Sequence, residues 1–136
     1  MSIFTGSCLC GSVNYKSNSD PLVIQNCHCD QCRKATGSVY LTNLFIKEEN
    51  FEITGEVNNY THLSDAGNNM TKYFCPKCGS QVFGKNSGRP AIITIRAGTV
   101  NEKDIIKPIR NLFLKSKIPS TPTDSNLEAC DGMPLN

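Results

Sequence analysis

Phe74-Cys75-Pro76-Lys77-Cys78-Gly79-Ser80 sets two cysteines three residues apart and follows them with a glycine. On a turn, that spacing brings two thiolates within reach of one ion, about 2.3 Å from each sulfur. Two sulfurs are half of a tetrahedron, so the other half has to come from elsewhere in the chain. Cys8-Leu9-Cys10-Gly11 supplies it economically, because alternate side chains of an extended stretch point to the same side. Pairing Cys8 and Cys10 with Cys75 and Cys78 makes a closed four-thiolate zinc site that fastens the amino-terminal strands to the middle of the chain. Gly11 and Gly79 suit the tight backbone around such sulfurs. The competing readings are buried reduced cysteines or a redox pair at Cys75 and Cys78, which leave the other cysteine groups unexplained.

The composition gives these sulfurs structural importance. Of 136 residues 38% are hydrophobic, but that share includes the eight cysteines, there is no Trp, and aromatic residues make up 7%. The apolar core is therefore thin for one domain of this length. A structural zinc site contributes about 10–16 kcal/mol, enough to compensate. No apolar run reaches the roughly 18–20 residues of a membrane span, and the start of the chain has no secretory pattern. The expectation is a soluble protein of the cytoplasm, with the nucleus as a further compartment, where thiols stay reduced and serve metal binding or catalysis. Seven thiolates remove seven units of charge and two Zn²⁺ return four, so the formal +2 becomes −1. Nucleic acid is not invited by that balance.

Between these groups, short β-branched and aromatic segments bounded by Gly, Asn or Pro predict a mainly β domain with short helical turns. The strand candidates are residues 39–46, 57–63, 70–74, 91–97 and 109–114. In residues 91–97 Ala91, Ile93, Ile95 and Ala97 share one face, and Ile92, Thr94 and Arg96 the other. Asp30 is the expected cap of a helical turn over Gln31 to Thr36 ended by Gly37, and a second turn is expected near Asn101 to Ile106. The domain is expected over residues 1–115. The Ser-, Thr- and Pro-rich residues 116–136 read as a loosely structured tail.

The third group, Cys27-His28-Cys29-Asp30-Gln31-Cys32, offers three sulfurs. Three is the number of protein ligands at which zinc keeps a position open for water or substrate, which makes Cys27, Cys29 and Cys32 the candidate catalytic metal ligands. His28 falls on the opposite side by alternation, where a structural role is favoured over a fourth ligand. Arg33 and Lys34 are either solvated or placed to attract a substrate carboxylate. Three thiolates make zinc a weak Lewis acid, better suited to holding another thiolate as nucleophile. Cys130 stands alone in the tail and reads as an incidental thiol rather than a mobile extra ligand.

The ordered set Gly6-Ser7-Cys8-Leu9-Cys10-Gly11-Ser12-Val13-Asn14-Tyr15, Cys27-His28-Cys29-Asp30-Gln31-Cys32-Arg33-Lys34-Ala35-Thr36-Gly37-Ser38 and Phe74-Cys75-Pro76-Lys77-Cys78-Gly79-Ser80 closely resembles the glutathione-dependent formaldehyde-activating (GFA) family, with Arg96-Ala97-Gly98-Thr99 resembling its later strand and turn. The resemblance spans most of residues 5–115. It implies a tent-like β fold, a structural zinc at Cys8, Cys10, Cys75 and Cys78, a labile zinc at Cys27, Cys29 and Cys32, and carbon-sulfur lyase chemistry joining glutathione's thiol to formaldehyde as S-hydroxymethylglutathione. A small-molecule thiol is the implied partner. Family members often carry a His after a Pro in the last strand, where Pro108-Ile109-Arg110-Asn111 offers Arg110 or Asn111, and the aromatic-rich end is missing. These departures bear on the substrate pocket. The family also includes centromere protein V-like members, so a non-catalytic, zinc-stabilised interaction module is the alternative function, and a metal or redox sensor is a third.

Overall fold

The structure, a computed structural model, describes residues 3–134. Its strands are β1 (Phe4–Ser7), β2 (Asn14–Ser17), β3 (Val23–Cys27), β4 (Leu41–Lys47), β5 (Phe51–Thr54), β6 (Asn58–Leu63), β7 (Asn69–Phe74), β8 (Gln81–Asn86), β9 (Ile92–Arg96), β10 (Arg110–Leu112) and β11 (Glu128–Ala129), with one α-helix, α1 (Asp30–Thr36). The fold is mainly β. The five strand candidates of the sequence correspond to β4, β6, β7, β9 and β10. The strands that pattern alone did not reveal carry polar or glycine residues that blur their alternation, such as Gln25 and Asn26 in β3 and Gly84 in β8.

Two sheets form. One is three-stranded, ordered β1-β2-β5, and the other eight-stranded, ordered β11-β10-β3-β4-β9-β8-β7-β6. Register divides the large sheet into two chemically different faces. Ile24 pairs with Leu44, Leu44 with Ile95 and Ile95 with Phe83, so these apolar side chains share one face. An aromatic chain joins that face to the small sheet: Tyr73 stacks on Phe83 at 4.4 Å, Phe83 meets Phe51 at 5.0 Å, and Phe51 meets Tyr15 at 5.6 Å. Cys8 and Cys75 lie within this core, so sulfur fills space that a richer apolar composition would occupy.

The other face follows the second register line. Gln25 pairs with Asn43 and Asn43 with Arg96, while Phe45 pairs with Thr94, Thr94 with Gly84 and Gly84 with Lys72. This polar face is not left flat to solvent. It lines a cavity roofed by α1, the β6–β7 connection and the segment after β10.

Helix α1 departs from the expected capping in one respect. Its N-cap is Cys29, in extended conformation, whose Sγ accepts from the Cys32 backbone N–H at 3.3 Å. Asp30 is instead the first helical residue and pairs with Arg33 at 3.3 Å. Gly37 ends the helix in the left-handed region, φ 72°, as a glycine there should. The second expected turn is a short 3₁₀ segment, Lys103–Ile105. Beyond Ser116 the chain returns to the large sheet, where β11 runs parallel to β10 and the Leu114 and Phe113 N–H groups donate to Cys130 and Gly132 carbonyls.

Leu44 is fully buried at the centre of the apolar face. Leu44→Ala should cost about 2–5 kcal/mol through lost burial and the cavity left behind, whereas Tyr60→Ala on the exposed β6 should cost little. Equal denaturation midpoints for the two variants would contradict this placement of the core.

Candidate metal centres and the adjoining cavity

The first cysteine cluster is assembled from two hairpin ends. Cys8 and Cys10 lie in the β1–β2 connection, where the Cys8 N–H donates to the Val13 carbonyl at 3.0 Å and Gly11 takes φ 81°. Cys75 and Cys78 lie in the β7–β8 connection, closed by Cys75 N–H to Ser80 O at 2.9 Å and Gly79 N–H to Cys75 O at 2.8 Å, with Gly79 at φ 78°. A register shift at Tyr73/Phe74 re-aims the strand just before Cys75. The Leu9 N–H donates to Ser80 Oγ at 3.1 Å and ties the two turns directly together.

Sulfur spacing tests whether this cluster fits a metal. A tetrahedron with metal–sulfur bonds of about 2.3 Å has edges of about 3.8 Å. Here Cys8 Sγ lies 3.6 Å from Cys10 Sγ, Cys10 Sγ lies 3.7 Å from Cys75 Sγ, and all four sulfurs fall within 4.8 Å of one another. The set fits. Two hydroxyls, which sequence reading passed over, support the thiolates: Ser12 Oγ lies 3.1 Å from Cys10 Sγ and 3.3 Å from Cys75 Sγ, and Ser80 Oγ lies 3.2 Å from Cys78 Sγ. The Ser80 hydroxyl and N–H hold the Cys78 thiol down at about 5. Burial raises Cys8, but the Val13 N–H and neighbouring thiol and hydroxyl bonds outweigh it and bring it to about 7. These groups favour thiolate, the form a metal takes.

The second cluster gathers Cys27, Cys29 and Cys32, again within 4.8 Å of one another. Cys27 closes β3 and is fixed by its pairing with Leu41 on one side and Leu112 on the other. Cys29 is the helix cap, and Cys32 lies one turn further on. Hydrogen bonds from the Cys27 and Cys32 thiols hold Cys29 down at about 2. The same sharing, with burial, pushes Cys27 up. Cys32, lowered by Cys27 but raised by Cys29 and burial, stands at about 11. Three thiols this close disfavour one another's ionisation unless a cation compensates them, and a divalent ion suits the set. All eight cysteines are free thiols, so none is diverted into a disulfide.

The two clusters differ in surroundings. Cys27, Cys29 and Cys32 open onto the cavity of 430 Å³ on the polar face, whereas none of the four sulfurs of the first cluster lines it. Phe45, Met70, Leu112 and Phe113 form apolar parts of its wall. Phe113 holds φ 57°, unusual for a bulky residue, and its N–H donates to the Gly132 carbonyl at 3.1 Å. Two buried cations are among the residues lining the cavity, Lys72 at 8% exposure and Arg96 at 7%. Sequence reading placed Arg96 in a strand and in the family-like stretch from Arg96 to Thr99 without giving it a site role, and did not single out Lys72, because nothing local marks a basic residue that faces inward.

Other expected residues lie elsewhere. His28 is 1% exposed, stacks on Tyr40 at 4.7 Å, and its Nε2 lies 3.4 Å from Asn111 Oδ1, outside the three-sulfur set. Arg33 is engaged by Asp30, and neither Arg33 nor Lys34 lines the cavity. Asn111 is buried, accepts from Asn26 Nδ2 at 3.0 Å, and faces the His28 side of the sheet. Asn111, one of the two residues offered where the family often has His, therefore lies away from the three-sulfur cavity. Arg110 pairs with Glu128 at 3.3 Å. Cys130 Sγ donates to Glu128 Oε2 at 3.3 Å and, among the described residues, joins neither cluster.

A family model described as GFA, glutathione-dependent formaldehyde-activating enzyme, matches residues 3–116. Among solved structures, the crystal structure of a Rhodobacter sphaeroides protein has a TM-score of 0.58 at 18% sequence identity, covering 76% of this chain and 96% of that one. That likeness concerns the fold. No curated protein matches the chain.

The clusters should separate on mutation. Cys75→Ser should remove one bound metal equivalent and lower stability by several kcal/mol, because an ion held there would join the two sheets. Cys29→Ser should also remove one equivalent but shift the melting temperature far less. Metal analysis paired with thermal melts reads both, and a comparable melting loss for the two variants would refute the division into structural and open centres.

Proposed function

Because the chain belongs to the glutathione-dependent formaldehyde-activating family, we propose that it is a zinc-dependent carbon-sulfur lyase acting on a glutathione–formaldehyde adduct or a related small thiol adduct. The observation that carries this reading is the contrast between the clusters: four sulfurs with a complete ligand set, and three that open onto a cavity. A metal bound at Cys27, Cys29 and Cys32 supplies a position at which a fourth sulfur is held as thiolate.

The chain's own residues do the rest. Cys27 and Cys29 fix two ligand sulfurs at the end of β3 and the start of α1, and the short helix fixes the third. The apolar side chains of Phe45, Met70 and Leu112 limit water around the incoming sulfur. In the synthetic direction the substrate sulfur's electron pair forms the carbon-sulfur bond, the carbonyl π electrons move to oxygen, and that oxygen takes up the proton the thiol gave up. Cleavage is the reverse. Since thiols add to formaldehyde unaided, the protein's contribution is orientation and a standing supply of thiolate.

Cys29→Ser should lower glutathione-dependent formaldehyde turnover by about 100-fold or more while the fold and the four-sulfur metal persist. Cys130→Ser, remote from both clusters, should leave turnover unchanged. A zinc-replete wild type that fails to accelerate the reaction above its spontaneous rate would remove the enzyme reading and favour the interaction module.

A further inference from the structure

The cavity beside Cys27, Cys29 and Cys32 contains two cationic side chains for which the fold provides no acidic partner. Neither Lys72 nor Arg96 makes an ion pair among the described residues. Buried Lys and Arg are ordinarily paired, because leaving a desolvated charge uncompensated is costly. Here two like charges are placed close enough to disfavour one another, and Arg96 adds to burial in pushing the Lys72 ammonium downward.

Their bonding shows which ends are committed. Arg96 Nε donates to Gln81 Oε1 at 2.6 Å, and Nη1 donates to Asn43 Oδ1 at 3.0 Å and to the Thr94 carbonyl at 3.4 Å. Those three bonds fix the guanidinium plane and leave Nη2 without a partner among the described residues. Nη2 lies over Gly84, where an added Cβ would come within 2.7 Å of it, and Gly84 is itself part of the cavity floor. Lys72 is the cross-strand neighbour of Gly84, and its Nζ lies 2.6 Å from His62 Nε2, a ring nitrogen that brings no negative charge to the ammonium. The glycine between them keeps the floor open.

The remaining charges of the cavity do not alter this. Lys85, Arg89 and Lys115 add positive charge at its walls, against Asp30 and Asp65. Asp30 is occupied by Arg33, Lys85 by Glu48, and Arg89 sits 5.9 Å from the Phe45 ring centre. The thiolates of the three-sulfur set attract both buried cations. They do not provide the oxygen geometry that the planar guanidinium end matches.

We infer that Arg96 Nη2 and Lys72 Nζ form a carboxylate subsite, so that the cavity selects small thiols carrying a carboxylate over neutral thiols. The inference rests on the thiol-binding reading of Cys27, Cys29 and Cys32 for the thiol end of the ligand and on the two cations for the acidic end. The carboxylate compensates the paired cations while its own sulfur reaches the three-cysteine set, which makes Lys72 and Arg96 specificity-determining residues.

Calorimetric titration of the zinc-loaded full chain with 3-mercaptopropionate, with the neutral thiol 2-mercaptoethanol, and with thiol-free propionate tests this. Wild type should bind 3-mercaptopropionate about 10- to 100-fold more tightly than 2-mercaptoethanol, the range expected of charge-assisted hydrogen bonds. Lys72→Met, which leaves the Arg96 network to Gln81 and Asn43 intact, should erase most of that preference without changing 2-mercaptoethanol binding or metal content, and Arg96→Lys should weaken it. Propionate binding that is lost in Lys72→Met supports the subsite even where neither thiol binds, a result that would overturn the thiol reading alone. Equal affinity of wild type for both thiols, or equal losses for both in Lys72→Met, would overturn the subsite.

Discussion

The fold depends on bringing two hairpin ends to one point. The β1–β2 turn belongs to the small sheet and the β7–β8 turn to the large one, and their four sulfurs converge to tetrahedral spacing. A metal held there would link segments more than sixty residues apart, and the Cys10 and Cys75 sulfurs already lie 3.7 Å from one another. The Leu9–Ser80 hydrogen bond and the nearby serine hydroxyls prepare the same junction from protein atoms alone. A chain with few large apolar residues thereby fastens its two layers where burial alone would be marginal.

From that junction follows the division of labour between the faces of the large sheet. The apolar face is committed to the aromatic chain and aliphatic core beneath the small sheet. The opposite face is free to carry Gln25, Asn43, Arg96 and Lys72 and to look onto the three sulfurs. Because side chains alternate with period two, the same strand β9 supplies Ile93 and Ile95 to the core and Thr94 and Arg96 to the cavity. Stability and chemistry are thus separated by the thickness of one sheet. The buried cations are tolerable on that account, since the core does not have to accommodate them.

The substitution pattern around β10 shows how far a family resemblance reaches. Asn111, one of two residues that the resemblance offers in place of a His, is embedded with Asn26 and His28 on the far side of β3 from the three-sulfur cavity. Its neighbour Leu112 pairs with Cys27 and does line the cavity. One residue of register decides which side a position serves, so a departure in sequence near the site need not be a departure in the site.

The cysteine spacings and glycine positions marked both clusters in the sequence, because C-x-C and C-x-x-C encode sulfur convergence within a few residues and need little tertiary help. The alternation in residues 91–97 likewise showed which side chains of that strand travel together. Sequence could not say what those side chains meet. Lys72 and Arg96 are twenty-four residues apart and become neighbours of one cavity only through the pairing of β7, β8 and β9, and Asp30 yielded the cap of α1 to Cys29 because the extended entry from β3 put the sulfur, not the carboxylate, over the Cys32 N–H. Local spacing is written in covalent geometry. Which face of a strand becomes core and which becomes cavity is settled only when the sheets pack, because burial is a property of the whole chain.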